Sequence, residues 1–448
     1  MLTLRKRTFS GGVHPPQQKL TAQLPIEDVP PPPQVVIPLQ QHLGAPAEPL
    51  CKVGDSVKIG DKIGEAKGFV SVPCHASVSG TVKAVEPRLH PLGGRVLAVV
   101  IENDGKSEIA LSATPDSDYM VRPVDELRAR IREAGIAGMG GAAFPTHVKL
   151  SPPANKPIDT LIINGAECEP YLTADHRLML EHPTEILAGV QVIRRILGCS
   201  RVVIAIEDNK PDALMRMRKA VAEGGLPYEV LRFRAKYPQG AEKQLIKAAT
   251  GREVPRGGLP MDVGCLVHNV GTAKAIYEAV ALRRPLVERV VTVTGRGVRN
   301  PKNLRVPIGT LFSHLFAHCG GLTEDAGKII MGGPMMGIAQ FSEQVPVIKG
   351  TSGVVVLARA ESRLAEAQVC IGCARCVDAC PMKLVPTHIQ TLVRHGRFAE
   401  AKAYGLLDCI ECGCCGFVCP ARIPFVHLMK YGKMKVYQQE RAAAPKSA

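Results

Sequence analysis

The residues best placed to do chemistry are cysteines. Cys370, Cys373, Cys376 and Cys380, followed by Pro381, recur as Cys409, Cys412, Cys415 and Cys419, followed by Pro420. Each run reads C-x2-C-x2-C-x3-C-P. Three thiolates at that spacing let one loop wrap three irons of a cubane, while the fourth is sent off by its proline toward a neighbouring cluster. The spacing therefore assigns Cys370, Cys373, Cys376 and Cys419 to one [4Fe-4S] cluster. Cys409, Cys412, Cys415 and Cys380 hold a second. Zinc ribbons also use CxxC pairs, but they need two pairs and no third cysteine at regular spacing. Cys414 lies inside the second loop, out of phase with the ligands, and stays unassigned. Cys51, Cys74, Cys168, Cys199, Cys265 and Cys319 are scattered and default to small buried hydrophobes. No signal-peptide apolar run follows the basic first residues, so 15 cysteines point to metal ligation in a reducing compartment rather than to disulfides.

Clusters pass single electrons, so a two-electron donor would need a converter. The candidate is Gly135-Ile-Ala-Gly138-Met-Gly140-Gly141-Ala-Ala-Phe144-Pro145-Thr146-His147-Val148-Lys149. Glycines at 138, 140 and 141 let backbone amides approach a phosphate, and Lys149 adds charge. The ordinary dinucleotide fingerprint needs a strand ahead of the glycines, whereas a helical pattern precedes these, so that reading fails. Taken alone, the loop also reads as a flexible turn between helices.

These loops need scaffolds, and the chain is long enough for several. Residues 1–34 end in Pro30-Pro31-Pro32-Pro33 and read as an extended arm rather than a packed element. Residues 35–115 carry short β-type runs broken by glycine, an all-β module that resembles the barrel-sandwich domains of lipoyl and biotinyl carriers. At the hairpin where a carrier presents its lysine stands Pro73-Cys74-His75-Ala76-Ser77, so a docking or structural role is expected. Between 120 and 285 helices alternate with strands, predicting a layered α/β domain. Residues 286–350 have the size and pattern of a β-grasp module, 360–425 hold the cysteines in a ferredoxin-like, α-helical domain, and 426–448 form a basic helical tail. The predicted fold class is thus multidomain α/β plus β.

Lys and Arg exceed Asp and Glu by 15, which favours polyanionic, membrane-surface or acidic partners. Nucleic acid is disfavoured, because aromatics are only 4% of the chain and no recognition helix or stacking platform is found. No run of 18 apolar residues exists, so no transmembrane helix is expected. The basic ends, with Arg5, Lys6 and Arg7 at one and Lys430, Lys433, Lys435 and Arg441 at the other, are expected to contribute to membrane or partner attachment.

The glycine loop, together with Asn164-Gly-Ala-Glu167-Cys-Glu169-Pro170, Tyr237-Pro-Gln-Gly240-Ala-Glu242 and His268-Asn269-Val270-Gly271-Thr272, resembles in order and spacing the FMN and NADH segments of the flavin-carrying component of respiratory complex I. The resemblance implies that Gly138, Gly140, Lys149, Asn164, Asn269 and Thr272 hold FMN. It places Gly141, Glu169 and Glu242 where the nicotinamide nucleotide stacks, with Glu167 and Gly240 in the same cofactor-binding segments. No side chain is assigned a catalytic acid/base role, since hydride transfer is the flavin's chemistry. The chain departs from that family at Ala166 and Ala241, where acidic residues are usual, and near Pro152 and Leu259, where aromatics are.

Over its full length, beginning with Phe9-Ser-Gly11-Gly12-Val13-His14-Pro15-Pro16, the chain resembles the RnfC/RsxC family of the Rnf electron-transport complexes. That implies a peripheral subunit on the cytoplasmic face of the bacterial inner membrane, exchanging electrons between NADH and ferredoxin through FMN and two [4Fe-4S] clusters. Its partners would be the membrane subunits, which translocate the ion, the iron-sulfur subunit and ferredoxin. Two other readings stay open: a soluble flavin and iron-sulfur cobalamin reductase, in which the β-module follows the clusters, and a non-enzymatic iron-sulfur adaptor.

Overall fold

A computed structural model describes residues 7–110, 114–363 and 366–443. Its centre is a parallel sheet of strands β1 (Thr160–Gly165), β2 (Arg201–Glu207), β3 (Glu229–Phe233) and β4 (Cys265–Asn269), in the order β3-β2-β1-β4. Strands β1, β2 and β4 are nearly unbroken apolar runs because both faces are covered. Leu161, Ile163, Val202 and Ile204 enter one core, and Ile162, Val203 and Ala205 enter the other. From β1 the chain steps outward to β2 and β3, then returns to the opposite side of β1 as β4. Strand order therefore reverses between β1 and β4, and at such a switch point the carboxyl ends of the strands leave a crevice for a ligand. Helices α1 (Ala174–Glu181), α2 (Glu242–Thr250) and α3 (Val270–Val280) surround it.

The predicted alternation of helices and strands is observed, with helix Pro183–Leu197, strand Arg201–Glu207 and helix Pro211–Glu223 in succession. Helix α1 and strand β4 were not anticipated. Strand β4 is five residues, Cys-Leu-Val-His-Asn, too short for its pattern to stand out.

The β-module is built of two sheets, one containing Gln34–Pro38, Arg95–Asn103, Gly80–Leu89 and Ser56–Val57, the other Glu48–Pro49, Lys62–Glu65 and Cys74–His75. Its hairpin tip is buried at a three-way junction. The fully buried Lys349 ammonium donates to the carbonyls of Pro73 and Gly135, each at 2.7 Å, and Ser77 donates to the carbonyl of Ile308.

The β-grasp module has a six-stranded sheet ordered Ile26–Asp28, Lys302–Pro307, Glu288–Thr294, Gly353–Ala358, Ala326–Met331 and Ile338–Gln340. Gly353–Ala358 lies inside this sheet, so the module continues past residue 350. The other surprise is the edge strand Ile26–Asp28, which comes from the arm and pairs in parallel with Asn303–Arg305. Residues 7–28, mainly extended with a turn at 20–24, are packed across the molecule instead of standing free; Arg5 and Lys6 lie outside the described residues.

The cysteine-rich domain is an internal duplication with a 39-residue period, which takes Cys370 to Cys409 and Cys380 to Cys419. The backbone repeats as well as the sequence. Gly372, Ala374 and Lys383 have positive φ in the first half, and Glu411, Gly413 and Arg422 have it at the matching positions of the second. Helix Pro386–Arg394 packs on α4 (Phe425–Ala443) through Ile389, Leu392 and Val393 against Phe425, Met429 and Val436. Their close approach depends on Gly432, where a Cβ would come within 2.6 Å of Val393. Among the described residues no helix is long and apolar enough to cross a membrane.

Candidate redox site

The two cysteine loops and their crossover cysteines frame two separate cavities. Cys409, Cys412, Cys415 and Cys380 line one, walled by Ile389, Val426 and Met429. Cys370, Cys373, Cys376 and Cys419 line another, walled by Ile423 and Phe425. Each set takes three thiols from one loop and the fourth from the other half of the duplication, as the spacing predicts. No group of three or more His, Cys, Asp or Glu among the described residues converges on a point suited to a single metal ion. Four thiols lining an apolar cavity suit a cubane. Backbone amides already aim at the sulfurs, with Leu384 N–H donating to Cys380 and Glu411 N–H to Cys409, both at 3.4 Å.

The two cavities differ in setting. Cys370 and Cys373 are exposed, and their neighbours Val369 and Ile371 are 87% and 71% exposed. The Cys412 side, in contrast, is buried in a small core with Val13, Tyr237 and Ala379, against which Cys168 and Met335 pack. Cys414, unassigned from sequence, belongs to this core, its sulfur 3.9 Å from the Tyr237 carbonyl. In the first loop that position is Arg375, so the second loop is the one adapted to pack against the α/β domain.

That domain brings its four predicted segments together at the switch point. Asn164 and Asn269, at the carboxyl ends of β1 and β4, are register partners. Asn164 accepts from Ala166 N–H at 3.1 Å and donates to the Gly240 carbonyl at 2.9 Å, joining the second segment to the third. Asn269 caps α3, accepting from Gly271 N–H at 2.8 Å and Thr272 N–H at 3.4 Å. The Thr272 hydroxyl accepts from Met139 N–H at 2.9 Å, anchoring the glycine loop to α3. Lys149 and Glu242 form an ion pair at 2.6 Å, tying the first segment to the third.

The glycine loop is closed at its base by Gly138 N–H donating to the Phe144 carbonyl at 2.9 Å. At its tip, Gly141 (φ +73°) has open space where a Cβ would stand, and Gly140 packs on Asn269, 3.3 Å from an added Cβ. Ala143 is held at φ +51°. The amides of Gly140, Gly141 and Ala142 have no hydrogen-bond partner among the described residues. Unspent amides on a glycine tip beside a helix N-terminus fit the phosphate of a flavin nucleotide.

Glu167 and Glu169 are used differently from the other predicted residues. The Glu167 carboxylate accepts from the Asp175 and His176 amides at the start of α1, at 2.8 and 3.2 Å, and its backbone has φ +44°. The Glu169 carboxylate accepts from the Met335 and Met336 amides of the β-grasp module, at 3.1 and 2.8 Å; burial pushes it up to about 7. Both acids shape the loop that carries them. Of the departures, Ala166 is buried with its carbonyl accepting from Lys210 at 2.6 Å, and Ala241 precedes the first residue of α2.

Three contributors were not picked out from the sequence. Asp175, half-buried and pushed up to about 7 by desolvation and then by Glu167, accepts from Asn269 at 2.6 Å. His268 is buried with Nε2 unpartnered, and burial, then Lys149, hold its imidazole well below the ordinary range. Lys19, from the arm, donates to the carbonyls of Glu167, Glu169 and Leu172 at 2.9, 2.9 and 2.6 Å. His268 stands next to Asn269 in one of the four segments; Lys19 and Asp175 carry no local signal. Of the basic tail, Lys433 turns inward to the Cys409 carbonyl and Glu411, at 2.6 and 2.7 Å.

Comparison with known proteins bears on all four modules. Family models match as follows: the RnfC barrel sandwich hybrid domain at residues 7–106, the Nuo51 FMN-binding domain at 131–278, the SLBB domain at 290–339 and the 4Fe-4S dicluster domain at 363–420. Among similar proteins is the C subunit of the proton-translocating ferredoxin:NAD(+) oxidoreductase complex of Clostridium ljungdahlii, 48% identical over 90% of this chain and 88% of that one. Its counterpart in the Na(+)-translocating ferredoxin:NAD(+) oxidoreductase complex of Acetobacterium woodii is 44% identical over 98% and 99%. The counterpart in the ion-translocating oxidoreductase complex of Rhodobacter capsulatus is 42% identical over 98% and 85%.

Proposed function

Since this chain belongs to the RnfC family of ion-translocating ferredoxin:NAD+ oxidoreductase complexes, we propose that it is the site where such a complex exchanges electrons with NADH. It is an electron-transfer subunit with an FMN-binding domain and a 4Fe-4S dicluster domain. Bound there, FMN supplies the conversion between hydride and single electrons, and the clusters supply the one-electron relay.

The chain's own residues bind, orient and insulate. The Gly140–Ala142 amides take the flavin phosphate at the N-terminus of α3, with Lys149 nearby and Gly138, Asn164, Gly240, Asn269 and Thr272 fixing the walls. Glu242 and the open side of Gly141 face the nucleotide, while Glu167 and Glu169 act through the loop they hold. The observation that carries this reading is the pair of thiol quartets, one packed against the flavin domain and the other open to solvent. In this arrangement the quartet of Cys380, Cys409, Cys412 and Cys415 faces the flavin site, and that of Cys370, Cys373, Cys376 and Cys419 faces partners.

Those partners are the membrane subunits, an iron-sulfur subunit and ferredoxin. Attachment is peripheral, on the cytoplasmic face of the inner membrane, with Lys430, Lys435 and Arg441 available to it. To test the function, the protein purified anaerobically is assayed for FMN, iron and sulfide and then mixed with NADH. Bound flavin and about eight irons, as two cubanes require, bleaching together on NADH addition, are expected. Stoichiometric zinc without sulfide, or cofactors inert to NADH, refutes the proposal.

A further inference from the structure

Residues Arg7 to Leu24 run as a strap over the face where the α/β and cysteine-rich domains meet. Arg7 bridges to Phe233 at the edge of the parallel sheet. Lys236 donates to the Phe9 carbonyl at 3.0 Å and lies 4.8 Å over the Phe9 ring. Gly12 N–H donates at 2.9 Å to the carbonyl of Ala379, the residue before Cys380, and Val13 exchanges two backbone hydrogen bonds with Tyr237 at 2.8 and 2.9 Å. Farther on, the Gln17 carbonyl accepts from Tyr171 N–H, and Lys19 ties down the Glu167–Leu172 carbonyls. One short peptide thus holds the second flavin segment, the turn that opens the third, and the backbone beside the crossover ligand.

Two glycines make this possible. Gly11 has φ +75°, and a Cβ on it would meet the Cys380 carbonyl oxygen at 2.7 Å and carbon at 2.9 Å. Gly12 has φ +78°, and a Cβ on it would meet the Tyr237 carbonyl oxygen at 2.6 Å. Both conformations are ones that side chains rarely adopt. The strap therefore lies in backbone contact with the flavin-side quartet on one side and the Tyr237–Gly240 turn on the other.

Resting on the function proposed above, we infer that the Gly11-Gly12 turn is a positioning element for internal electron transfer. It sets the Cys380 end of the flavin-side quartet against the flavin site. Electron tunnelling falls exponentially with the gap between centres, so a wedge here, pressing on the backbone carbonyls of Cys380 and Tyr237, slows transfer without replacing any cofactor-binding side chain. NADH oxidation by the flavin does not cross this junction and stays unchanged.

The test uses full-length G11A, G12A and K236Q proteins, loaded anaerobically to wild-type FMN and iron content and followed by stopped flow after mixing with NADH. Flavin bleaching is expected at the wild-type rate, with cluster reduction slowed severalfold. Hydrogen exchange of residues 235–240 and 379–384 is expected to rise in parallel, a readout independent of turnover. A purely structural strap would change stability or cofactor content but not the rate between loaded centres. Cluster reduction at the wild-type rate in the loaded variants overturns the inference. Should G11A fail to hold iron, G12A and K236Q decide, since neither touches a ligand. Were the wild-type flavin itself inert to NADH, the proposed function would fall, and unchanged hydrogen exchange in the variants would separately refute the strap's role.

Discussion

Single side chains next to the cofactor sites make separable predictions. Lys433 is mostly buried, with its ammonium on the Cys409 carbonyl and Glu411. A positive charge there stabilises the added electron of a reduced cluster, so K433Q shifts the flavin-side cluster to a more negative potential and leaves the other cluster in place. An EPR-monitored redox titration checks this; two unmoved potentials would show that Lys433 only packs. Asp175 offers a test by pH. Its pKa in the fold is pushed up to about 7, above that of the unfolded chain, so the folded state binds the extra proton and stability falls as pH rises toward 7. D175N abolishes that dependence. Melting of the apoprotein from about pH 5 to about pH 8 should therefore move in favour of the variant relative to wild type, and parallel curves would contradict the assignment. At this scale the sequence was most legible where chemistry demands fixed spacing. The two cysteine quartets and the four loop segments that the fold brings together stand out in the sequence, whereas Lys19 and Asp175 act across distances along the chain that leave no local pattern.

Elements that look ordinary in sequence take their meaning from their neighbours. The hairpin tip at Cys74-His75 is where a carrier domain exposes a lysine, and in this fold the tip is buried against other modules. The lysine at that junction is Lys349 of another module, buried and bonded to the Pro73 and Gly135 carbonyls and so held below its ordinary pKa by desolvation. Removing it leaves two buried acceptors unpaired, at about 1–3 kcal/mol each. K349M is expected to lower the melting temperature and loosen FMN, because Gly135 begins the glycine loop; unchanged melting and FMN retention would assign the junction to packing alone. Alternating helices and strands revealed the α/β domain, but β4 and Gly353–Ala358 were hidden, since a five- or six-residue apolar run is not distinctive until its partners are known. The arm was misread for a related reason. Its prolines and polar residues lack periodicity, and its order comes from hydrogen bonds to three other modules.

Across the whole molecule, the modules are arranged so that one thiol quartet is enclosed and the other is open. Cys412 and Cys414 share a core with Tyr237, while Cys370 and Cys373 reach the surface beside Val369 and Ile371. The net charge of +15 supplies an electrostatic route to a membrane or acidic partner in a chain where no described helix can span a bilayer. Washing membranes at high salt should release the protein; full retention would point to apolar contacts instead.

Cysteine replacement combined with NADH reduction tests the central claim most directly. C419S should keep FMN and about four irons in a cluster that NADH still reduces rapidly, because the crossover ligand it lacks belongs to the solvent-facing cubane. C380S should lose the enclosed cluster, so that NADH bleaches the flavin while the remaining cluster is reduced slowly. The opposite pattern, with C419S blocked and C380S fast, would contradict both the crosswise ligation and the order of the two sites.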